Sequence, residues 1–441
     1  MTRPSREGLV WQESGLGDRP RWKTEPRIEA IKAVCLRVLK PPSEKDCTVE
    51  FFAAGLFNKL YLVEVPGQKK LLIRISLPVD PRNKTLREVA TVRWLRRFTS
   101  IPVPEIIAFD ASSDNEIGFE WILMPFIAGT SAYSLWRKTP MITKEALVKQ
   151  VAKFQAQILE ASETKSSLTG IGTLTCGSGE VDGLNEDTTP EPGQIVSRHF
   201  FIGKHFDYEV PRGPFPSSRE WMDSYIAIII QEQKEELAMA GDEEEKEDVE
   251  HHIFIARRLQ GLLPIIFPEV ENLPQRTAPW HEDLSLTNML VDADGTITAI
   301  LDCEFVSAMP YWLVADYPEF LIGPTREKEP IRDDYADETP EQAEDRKSAG
   351  DAQDNEGKNE LYWHHLMEYE QTQLKAVYTT HLRELRPTWD TEVADSVLKY
   401  DFLRAVEQCA AGWALRAVGR WIDAVEKGDF TRLRDILEPK G

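Results

Sequence analysis

A change of periodicity constrains this chain more than any other feature. Between residues 48 and 76 the apolar residues come in short β-branched or aromatic runs: Val49-Glu-Phe-Phe, Lys59-Leu-Tyr-Leu-Val-Glu-Val and Leu71-Leu-Ile-Arg-Ile, punctuated by Gly55 and Pro66-Gly67. Such runs between turn formers predict a meander of antiparallel strands. Beyond it the spacing is mostly helical, over Thr85–Phe98, Lys144–Ala161, Arg219–Met239, Val249–Leu263 and the stretches 361–386 and 391–427. Strands are thus gathered early in the chain and helices late. They predict an α+β fold of two lobes, a small antiparallel β-rich one followed by a larger helical one.

The lobes can be delimited. Residues 1–24 are polar and aperiodic and read as an N-terminal arm. Residues 25–128 make the small lobe. It opens with a helix starting near Glu25, in which Ile28, Ile31, Val34, Cys35 and Val38 share a face, and ends with an apolar strand over Ile117–Phe126. Residues 129–441 make the helical lobe. Thr143 is the expected N-cap of the helix at 144–161. Residues 163–215 read as a long irregular connection, and the acidic Gly241–Glu250 run as a break between two helices.

Charge narrows the function classes. The formal charge is −22, but residues 241–251 carry −6 of it and residues 326–360 carry −7. The remainder is only mildly acidic, so net charge says little about a substrate, and no basic face for nucleic acid is evident. The 326–360 stretch reads as a flexible acidic insertion. No apolar run reaches about 18 residues, so no membrane span is expected. Five scattered cysteines argue against a disulfide framework or zinc site and for a reducing compartment. Arg3, Arg6, Arg19 and Arg21 are diluted by Glu7, Glu13 and Asp18, which favours the cytoplasm over the mitochondrion. No obligate protein partner is evident.

The chemistry concentrates between Trp280 and Glu304. His281-x-Asp283 is followed by Asn288 and, fourteen residues later, by Asp302 at the end of a strand. Between them, Asp292-Ala-Asp-Gly295 joins two apolar runs and predicts a hairpin that returns Asp302 to Asn288. Phosphoryl transfer needs a carboxylate that takes a hydrogen bond from the attacking hydroxyl, and hard oxygen ligands that hold Mg²⁺ against the nucleotide phosphates. These three residues can supply both. Asp292 and Asp294 are explained by the turn itself, the His251-His252 and His364-His365 pairs by surface or packing roles, and Cys303 as a small core residue.

The pattern His281-x-Asp283-x-x-x-x-Asn288 with Ile300-Leu-Asp302-x-Glu304 resembles the aminoglycoside phosphotransferase and choline kinase group, small-molecule relatives of the protein kinases. With Gly8-Leu-Val-Trp, Phe57-Asn-Lys-Leu-Tyr, Leu77-Pro-Val-Asp-Pro and Ile101-Pro-Val-Pro it is similar to an uncharacterised fungal subgroup. The resemblance implies a protein-kinase-like fold that transfers the γ-phosphoryl group of ATP, with Mg²⁺, to a hydroxyl of a small molecule. It makes Asp283 the catalytic carboxylate, Asn288 and Asp302 the metal ligands, and His281 a loop organiser. In the small lobe it implies a phosphate-covering hairpin around Gly55, with Arg74 or Lys70 on the phosphates and Glu88 pairing with Arg74. Backbone groups at Met124 and Phe126 would contact adenine. The group usually carries lysine where this chain has Arg74, which leaves a second reading: a catalytically silent nucleotide-binding scaffold.

Overall fold

A computed structural model of the chain describes residues 4–13, 17–176, 188–269, 273–348, 353–394 and 396–437. The meander expected at 48–76 is the centre of the small lobe. Strands β3 (Thr48–Ala54), β4 (Asn58–Glu64) and β5 (Leu71–Ser76) pair in sequence, and β7 (Glu120–Pro125) and β6 (Ala108–Asp110) complete a five-stranded antiparallel sheet in the order β3-β4-β5-β7-β6. Alternation delivers Val63, Ile73, Trp121 and Leu123 to one face, where helix α1 (Ile28–Leu39) covers them with Ile31, Val34 and Cys35. The register of β3 slips at Phe52, between the Phe51–Tyr61 and Ala53–Leu60 pairs, a bulge that re-aims this side chain. Helix α2 (Asn83–Phe98) follows β5, and its apolar side, including Val89, Trp94 and Leu95, joins the core of the large lobe.

That core is helical, as the periodicity requires. Helix α3 (Met141–Thr164) packs along α6 (Glu360–Leu385), while α4 (Ser218–Met239) packs along α5 (Glu243–Ile266). Helices α7 (Ser396–Ala410) and α8 (Leu415–Glu426) close the lobe, and the aromatics Tyr378, Trp389 and Trp421 are buried in it. Short strands line the junction between lobes. Strands β8 (Gly172–Thr175) and β9 (Thr277–Trp280) both flank β12 (Ser307–Pro310), and β10 (Met289–Val291) pairs with β11 (Ile297–Ile300). Among the described residues no helix is long and apolar enough to cross a membrane.

Several expectations change. The arm contains strands β1 (Leu9–Gln12) and β2 (Arg19–Trp22), an antiparallel pair whose residues Leu9, Trp11 and Trp22 pack between the lobes against Phe57, Phe201 and Phe305. Four-residue strands are too short to show a period. Arg6 anchors the arm by donating to the carbonyls of Phe201 (2.8 Å) and Gly203 (3.0 Å). Thr143 lies inside α3, because Pro140 already occupies the N-cap. The acidic run begins α5: Asp242 Oδ1 accepts from Glu245 N–H (2.9 Å), and Glu243, Glu244 and Glu245 fill the first turn, where the helix dipole favours negative charge. The connection at 163–215 contains β8 and a short helix, Arg198–Phe201, while its residues 177–187 lie outside the described residues. The described residues of the acidic insertion are tied down by polar contacts, while its residues 349–352 lie outside the described residues. Lys358 pairs with Asp337 (2.7 Å), Trp363 Nε1–H donates to Asn355 O (2.9 Å), and Arg137 donates to Asn355 Oδ1 (2.6 Å).

Candidate active site

Strand β9 delivers His281 at its C-terminal end. The His281 Nε2–H donates to the Leu301 carbonyl (3.0 Å), and burial lowers its pKa against the opposing pull of that carbonyl and Asp283. The imidazole is therefore neutral and structural. Asn288 Nδ2 donates to the Asp283 carbonyl (2.9 Å) and to Asp283 Oδ2 (3.2 Å), which orients the carboxylate. The β10–β11 hairpin turns through Gly295 at φ +79°, a conformation that suits glycine. Its base is closed by Leu301 N–H donating to Asn288 O (2.8 Å). Fourteen residues of sequence thus reduce to one rung of a ladder, and Asp302 emerges beside Asn288. Asp302 itself adopts φ 61°, ψ 56°, left-handed backbone that a non-glycine residue holds only when its neighbours over-determine it.

The facing wall is built by the small lobe. Arg74 on β5 and Glu88 on α2 form a buried ion pair, as the resemblance implied. Burial works against the charge of Arg74, but Glu88, Glu304 and Asp302 outweigh it and hold the guanidinium protonated. Lys70 does not substitute for Arg74: it precedes β5, is 58% exposed and pairs with Glu64. Four residues of extended chain, roughly 13 Å, separate it from Arg74. Gly55 sits in the β3–β4 turn, its N–H donating to Asn58 O (2.9 Å), and a Cβ there would meet open space. The backbone groups expected to meet adenine face the neighbouring strand instead. Phe126 N–H donates to Lys70 O (2.9 Å), and alternation turns Met124 toward Leu72 in the same way. The group facing away from β5 at this edge is the Pro125 carbonyl.

Sequence reasoning missed a second buried pair. Lys84 in α2 reaches Glu304 at 2.6 Å, and both side chains are within 2% of full burial. Asn58 Nδ2 donates to the same Glu304 oxygen (2.8 Å). Burial pushes the Glu304 pKa up, but Lys84 and Arg74 hold it below the ordinary glutamate range. The available signal was helical: Lys84 and Glu88 stand at i and i+4, hence on one face of α2.

The carboxylates fall into two groups. Asp302 is driven well above the ordinary aspartate range by burial and by Glu304, against the pull of Arg74 and Lys84. Its oxygens and Asn288 Oδ1 are hard donors of the kind Mg²⁺ takes, so the residues present fit that ion. Among the described residues there is no group of three or more His, Cys, Asp or Glu that could hold a metal ion. Around Asp283 lies the second group. Burial, reinforced by Asp283 and Glu407 against the pull of Arg198, pushes Glu282 up to about 7, and burial with Asp283 also raises Glu319.

The profile of the phosphotransferase enzyme family (APH) matches residues 48–338, more than half of the sequence, and the chain belongs to this family. Among curated proteins it is 25% identical over 308 residues to a subtelomeric hrmA-associated cluster protein of Aspergillus fumigatus, covering 61% of this chain and 59% of that one. It is 26% identical over 302 residues to altered inheritance of mitochondria protein 9 of Lodderomyces elongisporus, covering 60% of this chain and 47% of that one. The chain thus spans about half to three fifths of the relatives' length. Among solved structures it is similar to choline kinase from Cryptosporidium parvum, with a TM-score of 0.44 and 13% identity over 93% of this chain and 100% of that one. An aminoglycoside 2′-phosphotransferase in complex with GDP gives a TM-score of 0.42 and 13% identity over 92% and 100%.

Proposed function

We propose that the chain is a kinase of small molecules, transferring the γ-phosphoryl group of ATP to an acceptor hydroxyl. The observation that carries this reading is the convergence of Asp283, Asn288 and Asp302 through the Asn288–Asp283 bonds and the Leu301–Asn288 rung. Asp283 accepts the hydrogen bond of the acceptor hydroxyl and takes its proton as the new O–P bond forms and the bond to the β-phosphate oxygen breaks. Asn288 Oδ1 and the Asp302 carboxylate would hold Mg²⁺, which would supply positive charge to offset that of the nucleotide phosphates. Arg74, held by Glu88, presents charge to the phosphates from the other lobe, under the hairpin around Gly55. The Pro125 carbonyl and Ile127 N–H take the adenine edge in place of Met124 and Phe126. Phe52 and Phe126, with ring centroids 5.7 Å apart, offer the base an apolar wall.

The acceptor we infer carries positive charge, since Glu282 and Glu319 both lie close enough to Asp283 to feel its charge. We place its site of action in the cytoplasm. The relatives with a mitochondrial name support the mitochondrion as alternative, and fractionation of cells expressing the tagged chain decides between them. The burial of Arg74 in its pair with Glu88 favours a second reading, a silent nucleotide-binding scaffold.

Thermal unfolding with and without Mg·ATP tests the proposal. At about 100 times its dissociation constant the ligand stabilises by ~2.7 kcal/mol. The wild type shows that shift and Asp302→Ala loses it; an unshifted wild type at millimolar Mg·ATP overturns the reading. Asp283→Ala keeps the shift and loses turnover, and turnover that survives this substitution removes Asp283 from the mechanism.

A further inference from the structure

The junction between the lobes contains a closed polar network. Lys84 is 1% exposed, and a buried ammonium persists only where its donors are met. It donates to Glu304 Oε2 (2.6 Å), Asn58 Oδ1 (2.9 Å) and Ser76 Oγ (3.3 Å). Asn58 Nδ2 donates to Glu304 Oε2 (2.8 Å), and Ser76 Oγ donates to Asn58 Oδ1 (2.9 Å). Three members lie on β4, β5 and α2 of the small lobe. Glu304 alone comes from the large lobe, two residues after Asp302.

Asp302 needs an external hold, since its backbone is left-handed. On its N-terminal side, Leu301 is fixed twice, by His281 and by Asn288. On its C-terminal side, the polar side chain held by the small lobe is Glu304. The Arg74–Glu88 pair makes its hydrogen bond within the small lobe, whereas Lys84 and Asn58 bond directly to Glu304 across the junction. A carboxylate oxygen already engaged by an ammonium and an amide is also a poor candidate for direct metal ligation.

We propose that Lys84 is a positioning residue that fixes the Asp302 carboxylate for Mg²⁺ through Glu304, without touching nucleotide or metal itself. The inference rests on the Mg·ATP reading of this site. It makes metal affinity in the large lobe depend on a lysine of the small lobe.

The test compares wild type, Lys84→Met and the double variant Lys84→Met/Glu304→Gln. Lys84→Met leaves a buried, unpaired carboxylate and lowers the unfolding midpoint; the double variant removes that charge and recovers it. The measurement is the Mg²⁺ concentration giving half of the ATP-dependent thermal shift at fixed ATP. We expect the double variant to require at least tenfold more Mg²⁺ than wild type despite its recovered midpoint. A wild-type Mg²⁺ requirement in the recovered double variant reduces Lys84 to a structural role and overturns this inference alone. If the wild type shows no Mg·ATP shift at all, both the inference and the kinase reading fall.

Discussion

Glu120 illustrates how a single buried group sets the response of this chain to pH. It begins β7, and its Oε1 accepts from Arg82 N–H (2.6 Å), holding Arg82 at φ 68° ahead of α2. Burial pushes its pKa up to about 7, against the pull of Thr85, Arg82 N–H and Lys84 and with a push from Asp80. The folded chain therefore keeps a proton that the unfolded chain loses above about pH 4.5. Stability falls through the window from 4.5 to 7, by about 3 kcal/mol from this group, and is flat above it. Glu120→Gln removes the dependence, so the melting temperature of the variant relative to wild type should climb between about pH 4.5 and pH 7 and level off above that. A constant difference across that range would show that Glu120 is ionised in the fold. At this scale, Asp283 and Asn288 could be placed together from spacing, since five residues separate them, while the roles of Arg74 and Glu88 came with the resemblance. Lys84 offered only the weaker signal of sharing a helix face with Glu88, because its carboxylate partner is 220 residues away in sequence.

Among the elements, those with long amphipathic periods were legible and those defined by their ends were not. Helix α5 shows why. Its apolar period begins near Val249, whereas the helix begins at Glu243, because a capping aspartate and three glutamates satisfy the N-terminal amides and dipole without burying anything. Replacing that cap, Asp242→Ala, should lower the unfolding free energy by about 1 kcal/mol in a denaturant titration, with faster amide exchange confined to the first turn of α5. An unchanged exchange rate there would mean the glutamates suffice. The hairpin β10–β11 was legible for the opposite reason: Asp292 and Gly295 specify its turn chemically, and Asp292 Oδ1 accepts from Asp294 and Thr296 N–H at 3.0 and 2.9 Å.

Over the whole molecule, the lobes are joined by an apolar cluster as well as by the Lys84 network. Phe57 from the small lobe, Phe201 from the large lobe and Phe305 beyond Glu304 stand with ring centroids 5.5 to 5.7 Å apart, and Leu9, Trp11 and Trp22 of the arm cover them. Phe305→Ala should cost about 3–5 kcal/mol of unfolding free energy, as for other buried aromatics, and a loss under 1 kcal/mol would mean the cluster does not carry the junction. The sequence by itself determined the order of strands before helices and the hairpin that returns Asp302 to Asn288. Both follow from periodicity and from contacts between near neighbours. Only the tertiary structure decided that the arm is a docked strand pair, that Lys70 faces water while Lys84 is buried, and that the outward hinge group is the Pro125 carbonyl. Those outcomes depend on which surfaces meet when the lobes close, and on the pairing register of β5 with β7, neither of which leaves a local period in the chain.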